Sequence, residues 1–295
     1  MAQVGFLACA ETLPGDGPRR ADAFEHDLEV AALRPALAAR GMDLVEIDWR
    51  APVDRFAPFD AVLIGTSWDY QDRADAFLAR LEDLEARGVK VHNPPAAVRW
   101  NLDKWYLREL EEAGATIVPT IWEDNPGRAE VAAAMDAFAT DRVVVKRRIG
   151  AGGEGQHSFT RETLPDSGWT MGRAAMIQPF LPAILEEGEF TFVFVEGAFS
   201  HAVNKRAAKG EYRIQSLFGG TEALYFPGAE DLARAAEVLA ALPFDDLLYT
   251  RIDMVRLPSG ELAVMEAELI EPYLYPEQGP ELGERLAAAL AARLG

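Results

Sequence analysis

Two segments near the C-terminus, Tyr249–Leu257 and Glu261–Leu269, read as the strands of a β-hairpin around Pro258-Ser259-Gly260. With Ser259-Gly260 as a two-residue turn, Asp253 falls opposite Glu266. Side chains alternate along a strand, so Glu266 and Glu268 share one face while Met265, Ala267 and Leu269 take the other. Three carboxylates on one face of an otherwise apolar hairpin limit what the chain can fold into. Like charges set opposite one another destabilise a sheet, and buried charges need partners. That face must meet either solvent or a hard cation held through carboxylate and phosphate oxygens. The second case predicts a Mg²⁺–nucleotide site, and phosphate-binding groups elsewhere in the chain decide between the two.

The chain has 295 residues, 49% of them hydrophobic, enough for two or three packed domains of roughly 100–150 residues each. No apolar run approaches the length of about 18 expected of a membrane span. Met1–Cys9 has no basic leader and reads as a first core strand rather than a signal peptide. A single cysteine, Cys9, excludes an internal disulfide and suits a reducing, cytoplasmic location. The net charge of −19 argues against nucleic acid or an anionic membrane surface as partner. Only Lys90, Lys104, Lys146, Lys205 and Lys209 among the 29 cations are lysine. In so arginine-rich a chain, a lysine is a candidate for a place where a compact, flexible ammonium is wanted, and Lys104, Lys146 and Lys205 are the three that matter here.

Along the first hundred residues, apolar runs alternate with helical patterns. Strands are expected at Val4–Cys9, Leu44–Trp49, Ala61–Gly65 and Val89–His92, with helices at Ala21–Arg40 and Asp72–Arg87. This order implies a small, largely parallel, doubly wound α/β sheet. Asn93-Pro-Pro95 breaks the chain before a helix over Ala96–Gly114. Strands at Thr116–Trp122 and Arg142–Lys146 then flank a helix at Gly127–Thr140, and Gln156–Phe159 and Ala174–Gln178 continue the pattern. The remainder is rich in β structure at Glu189–Val195, Ala198–Lys205, Glu211–Phe218 and the acidic hairpin, with helices at Ala229–Leu242 and Pro280–Leu294. Three modules are expected, over residues 1–98, 99–184 and 185–295: one α/β and two with α+β character.

Gly150-Ala-Gly-Gly-Glu-Gly155 fits GxGxxG, but the following Gln-His-Ser-Phe alternates like a strand rather than opening a helix. The loop therefore joins two strands, either as a plain hairpin turn or as a flap of backbone N–H groups over phosphates. No GxxxxGK[ST] occurs. Lys146 ends the strand just before this loop, Lys104 lies on the expected helix, and Gln178-Pro-Phe-Leu181 ends a further strand whose backbone suits an adenine edge. The four histidines have no metal-ligand spacing and read as structural.

In this order (helix lysine, strand lysine, glycine-rich flap, hinge, then Asp…Glu-x-Glu on a terminal hairpin) the chain resembles the ATP-grasp superfamily. Met176–Val203 looks like the hinge of prokaryotic glutathione synthetases. Leu247–Tyr275, Trp68-Asp-Tyr70 and Asn93–Leu107 are similar to the branch containing the D-cycloserine-forming ligase. The resemblance implies ATP held between a central lid and the C-terminal domain. It places Lys104, Lys146 and the flap glycines Gly150, Gly152, Gly153 and Gly155 at the nucleotide phosphates. Gln178, Phe180 and Leu181 would line the adenine, and Glu189, with Glu186 or Glu187 as substitutes, would bind the ribose. Asp253, Glu266 and Glu268 would hold Mg²⁺, with two ions expected and Mn²⁺ able to substitute. Lys205, with Arg206 as competitor, Arg213 and Gln215 would contact the transferred phosphoryl group.

Trp68, Asp69 and Tyr70 would then meet a small amino-acid-like substrate. Where the branch has Arg-Ser-Thr before Trp-Asp-Tyr, this chain has Gly65-Thr66-Ser67, which leaves the substrate open. The implied activity is an ATP-dependent carboxylate–amine or cyclising ligase working through an acyl phosphate, compatible with a homodimer. A small-molecule kinase and a non-catalytic ATP-binding module are the alternatives on the same fold.

Overall fold

The computed structural model describes every residue except Asp16, Ala151, Gly152, Glu154 and Gln215. Strands β1 (Ala2–Ala8), β2 (Met42–Asp48), β3 (Ala61–Ile64) and β4 (Lys90–His92) form a parallel sheet in the order β2-β1-β3-β4. Helices α1 (Ala23–Ala38) and α2 (Ala74–Ala86) connect them. The Ala-Val-Leu-Ile run of β3 is wholly buried, as an interior parallel strand covered on both faces requires. Loops at the C-terminal ends of β1 and β3, where doubly wound sheets bind ligands, open toward the rest of the molecule.

The helix expected over Ala96–Gly114 is two helices, α3 (Pro95–Asn101) and α4 (Tyr106–Glu112). Asp103 causes the break. Its carboxylate accepts the Trp105 N–H at 2.9 Å and two bonds from the Arg148 guanidinium at 2.9 and 2.6 Å. Such local side-chain acceptance competes with the helical ladder. Lys104 thus sits at the break and not within a helix, with its N–H on the Arg148 carbonyl at 3.0 Å.

β5 (Ile121–Glu123), β6 (Arg142–Arg147), β7 (His157–Thr160) and β8 (Ala175–Pro179) form an antiparallel sheet in the order β5-β8-β6-β7, with α5 (Arg128–Ala137) packed on it. The glycine-rich loop joins β6 to β7, as the sequence pattern requires. After the short α6 (Ala183–Glu186) come β9 (Glu189–Val195), β10 (Ala198–Arg206), β11 (Thr221–Tyr225), α7 (Ala229–Ala241), β12 (Tyr249–Arg256), β13 (Leu262–Glu268) and α8 (Leu282–Leu294). The five strands make an antiparallel sheet in the order β11-β10-β9-β12-β13.

Two expectations change here. Of the expected strand Glu211–Phe218, the described residues Glu211–Ile214 and Ser216–Phe218 are not in a strand: the Glu211 carboxylate accepts the N–H groups of Tyr212 and Arg213 at 2.8 and 3.0 Å, so a side chain replaces a ladder partner. The strand is β11, which starts three residues later. In the acidic hairpin the turn spans three residues, with Leu257 N–H on the Glu261 carbonyl at 2.8 Å and Gly260 at φ +92°. A bulge at Met265 then shifts the register, so that Met254 pairs with Val264 while Asp253 still pairs with Glu266. The two irregularities cancel.

The last helix returns to the first sheet. α8 packs along α1, and Arg40 bridges to Glu284 at 2.6 Å. Gly283 is the point of closest approach: a Cβ there would stand 2.2 Å from the Ala32 carbonyl oxygen. Gly283→Ala is expected to lower stability by about 1–3 kcal/mol, because backbone cannot yield as a flexible side chain would. Urea unfolding reads this directly, and an unchanged midpoint would show that the two helices part without cost.

Candidate functional site

A cavity of 350 Å³ lies where the three sheets meet, walled by β12, β13 and the hinge after β8. Two buried asparagines fix its acidic wall. Asn93 donates to the carbonyls of Tyr249 and Leu269 at 2.9 and 2.8 Å and accepts the Leu248 N–H at 2.7 Å. Asn101 donates to the Ala267 carbonyl at 2.7 Å and accepts the Leu269 N–H at 2.9 Å. The phenol of Tyr106 accepts the Ala267 N–H at 3.0 Å. The residues on either side of Glu268 are thus clamped by side chains from the Asn93–Leu107 segment, which gives that motif a physical reason.

On this wall Asp253 is buried, accepting from Thr191 Oγ1 at 2.6 Å and from Arg251 at 2.9 Å, with Lys205 Nζ at 3.2 Å. Burial alone would raise its carboxyl, but Arg251 and Lys205 outweigh that and hold it at about 2. Lys205 also pairs with Glu189. Burial pushes Glu189 up to about 7 despite that ammonium. Arg251 bridges from Asp253 to Glu268 at 2.8 Å, and burial raises Glu268 in spite of it. Lys146 lines the opposite side, its ammonium pushed down by burial. Among the described residues no three His, Cys, Asp or Glu side chains are close enough to hold a metal by themselves.

The expected site residues distribute as follows. Lys146, Gly153, Gln178, Phe180, Leu181, Glu189, Lys205 and Arg213 line the cavity with the three hairpin carboxylates. Lys104 stands behind it, donating to the Gly150 carbonyl at 2.5 Å and lying 3.6 Å from Glu266. Gly150 and Gly155 take φ +154° and +64° in the loop; Gly152 and Gln215 lie outside the described residues. Arg206 points away, bonded to Asn204 and to the Glu186 carbonyl, and Glu187 is tied to Arg256. Glu189 sits at the carboxylate end, not at the hinge. The Gln178 amide donates to Thr120 at 3.0 Å, and the Arg142 guanidinium covers the Phe180 ring at 3.7 Å.

Trp68 and Asp69 reach the cavity, with Trp68 Nε1 on the Glu271 carbonyl at 3.0 Å and Asp69 held by Trp49 and Arg50 at 2.7 and 3.0 Å. Tyr70 is instead buried against Phe77 and Glu271. Arg19 is spent on Asp27 and the Thr12 carbonyl. His26, His92 and His201 are buried, and burial lowers all three.

Sequence reading missed Arg251, Met265 and the segment Glu271–Tyr275, all at the cavity. Arg251 carried a signal, since it precedes Asp253 by two and so shares its face. Met265 reaches the cavity because of the bulge. Behind the Glu271–Tyr275 wall, buried Glu29 accepts the Leu274 N–H at 2.9 Å, and burial pushes its carboxyl up to about 8. With the folded-state value above the unfolded one of 4.5, the native state holds the extra proton, so stability falls as pH rises from about 5 to 8, by up to about 1.4 kcal/mol per unit. Glu29→Gln should be near neutral at pH 5 and stabilising at pH 8. Melting temperatures at the two pH values check this, and equal effects at both would refute it.

Residues 4–93 match the family model described as D-cycloserine synthetase DcsG, N-terminal domain. The cycloserine biosynthesis protein DcsG of Streptomyces lavendulae is 29% identical over 291 residues, covering 91% of this chain and 94% of that one. The crystal structure of D-cycloserine synthetase DcsG superimposes with a TM-score of 0.83 at 26% identity, covering both chains completely. The chain is a ligase of the ATP-grasp fold. A structure of the ATP-grasp ligase PsnB, described as complexed with a phosphomimetic precursor variant, Mg and ADP, shares that fold at a TM-score of 0.68 and 15% identity, covering 99% of this chain and 98% of that one. No helix among the described residues is long and apolar enough to cross a membrane.

Proposed function

We propose that this ATP-grasp ligase uses ATP to activate the carboxylate of a small amino-acid-like molecule as an acyl phosphate. An amine, of a second molecule or of the same one, then displaces phosphate. The observation that carries the reading is the convergence of Lys146, Lys205 and Arg251 with Asp253, Glu266 and Glu268 on one cavity. Phosphoryl transfer asks for positioning and charge neutralisation rather than a protein nucleophile, and this wall offers both signs of charge at hydrogen-bonding range.

The hairpin carboxylates fit Mg²⁺ or Mn²⁺. They are hard oxygen donors, and Mg²⁺ commonly takes one or two carboxylates and completes its shell with phosphate and water. Asp253, Glu266 and Glu268 would hold up to two such ions, which would neutralise charge on the phosphates. Lys146 would pair with the phosphates from the lid side, and Gln178, Phe180 and Leu181 would enclose the adenine. Lys104 would tether the flap to the hairpin through the Gly150 carbonyl and Glu266. Lys205 and Arg213 would face the transferring group, and Arg251 the oxygens of the activated carboxylate. The location of Glu189 beside Lys205 and Asp253 supports a place at the phosphate end over a ribose contact. Likeness to a cycloserine biosynthesis protein along nearly the whole chain supports a small substrate of this class.

The test is ADP and phosphate release from Mg-ATP with pools of amino and hydroxy acids, with and without hydroxylamine. Substrate-dependent ADP together with a hydroxamate is expected. ADP accompanied by a stable phosphorylated product and no free phosphate would overturn the ligase mechanism in favour of a kinase.

A further inference from the structure

The Lys146 end of the cavity has a support that lies outside it. The Lys104 ammonium donates to the Gly150 carbonyl at 2.5 Å and lies 3.6 Å from Glu266. Burial pushes the Lys146 ammonium down, and the charge of Lys104 adds to that effect, so the two cations stand near one another. An ammonium at the end of a flexible four-carbon stem is placed only as well as its own backbone.

Both neighbours of Lys104 are fixed. Asp103 accepts the Trp105 N–H and two bonds from the Arg148 guanidinium. The Trp105 ring carries that guanidinium at 4.7 Å and the one of Arg108 at 5.0 Å, and it meets Trp122 of β5 at 5.1 Å. The backbone N–H of Lys104 is on the Arg148 carbonyl at 3.0 Å, and the Arg148 N–H is on the Ala174 carbonyl at 3.2 Å. Arg148 follows β6 directly and Ala174 precedes β8. One arginine thus ties the α3–α4 break to the central sheet by its backbone and its side chain. An isolated exposed ion pair contributes little, but a bidentate carboxylate–guanidinium fork fixes direction, and an aromatic face under the guanidinium holds its plane.

We infer that Asp103, acting through Arg148 and Lys104, is a positioning residue for the nucleotide phosphates. It sets the Lys104 ammonium between Gly150 and Glu266, beside Lys146. The inference rests on the proposed placing of phosphates at Lys146. Charge and position predict opposite signs for Asp103→Asn. Removing a carboxylate near a polyphosphate favours binding if charge alone counts, whereas releasing Arg148 and Lys104 disfavours it.

The test is calorimetric titration of a non-hydrolysable ATP analogue with Mg²⁺, and of adenosine, into the parent, Asp103→Asn, Lys104→Met and the double variant, with thermal melting as control. Asparagine keeps an oxygen for the Trp105 N–H and loses the fork. Asp103→Asn is expected to weaken the analogue about tenfold, as loss of a charged hydrogen bond warrants, and to leave adenosine within about twofold. In the Lys104→Met background the same substitution should change the analogue's affinity by less than about twofold, because residues that act through one another are not additive. An analogue bound as tightly or more tightly, adenosine weakened in proportion, or an undiminished loss in the Lys104→Met background would overturn the inference. Arg148→Lys keeps the cation and gives up the fork, so it should act in the same direction and carries the test if Asp103→Asn does not fold. A parent that fails to bind the analogue would instead refute the nucleotide reading, and the inference with it.

Discussion

Glu268→Gln should slow ADP formation by about 10²–10³-fold or more while leaving the fold intact, because a charge needed only when phosphate is present has been removed. Glu268 is the right carboxylate for this experiment. Its side chain is 19% exposed and its partner is Arg251, which keeps Asp253 at 2.9 Å after the substitution. No guanidinium is left unpaired in the interior, so the usual cost of breaking a buried ion pair is avoided. Asp253 is a poorer choice, since Thr191, Arg251 and Lys205 all depend on it. The measurement is single-turnover ADP release at several Mg²⁺ concentrations, with circular dichroism and thermal melting as controls. Partial recovery at high Mg²⁺ would mark Glu268 as a metal ligand. Activity within tenfold of the parent would remove it from the site.

Alternation along strands made much of the acidic wall legible, and its failures are equally local. The pairing of Asp253 with Glu266 follows from counting residues, yet it arises from a longer turn offset by the bulge at Met265. Counting therefore finds the pair and puts Met265 on the wrong face. Arg251 was visible by the same two-residue spacing but hidden among 24 arginines. The break at Leu102–Trp105 depends on Arg148, 45 residues away from Asp103, and nothing in the helical pattern announces it. The segment Glu271–Tyr275 has no periodicity at all. It is placed by Glu29, Trp68 and Arg251, each distant in sequence. What local pattern could supply was the end of the cavity lined by Lys146 and the hairpin carboxylates; the remote end depends on long-range contacts.

That division also explains why the parallel sheet was easy and its partner helix was not. In the first sheet β3 is a continuous apolar run and β1 nearly so, Gly41, Gly65 and Gly88 punctuate the elements, and helix–strand alternation leaves few topologies. α8 has an ordinary amphipathic pattern, which fixes that it packs but not on what. Its docking on α1 is decided by Gly283, whose missing side chain lets two backbones approach.

Lys205→Met should be the most disruptive single change in the cavity, and its two consequences can be separated. Burial alone would push the Lys205 ammonium down, but Asp253 and Glu189 outweigh that and hold it above the usual lysine range. Removing it leaves Glu189 and Asp253 side by side in the interior, with Arg251 reaching Asp253 and Glu268. Breaking a buried pair in this way costs about 3–5 kcal/mol. The loss should depend on pH with a defined sign. Glu189 already titrates near 7, and without the ammonium its folded-state value moves further above the unfolded one. The pH-dependent part of the loss is then absent at pH 5, where Glu189 carries a proton in both proteins, and develops above pH 7, where the parent's Glu189 is ionised and the variant's is not, by up to about 1.4 kcal/mol per unit. Adding Glu189→Gln removes the stranded charge, so the double variant should regain most of the stability at pH 8. It should not regain turnover, because the ammonium proposed to face the transferring group is still missing. Urea unfolding at pH 5 and 8, read beside ADP release, distinguishes the two roles. A single variant as stable as the parent at pH 8 would refute the buried pair, and a double variant with parental turnover would remove Lys205 from the reaction.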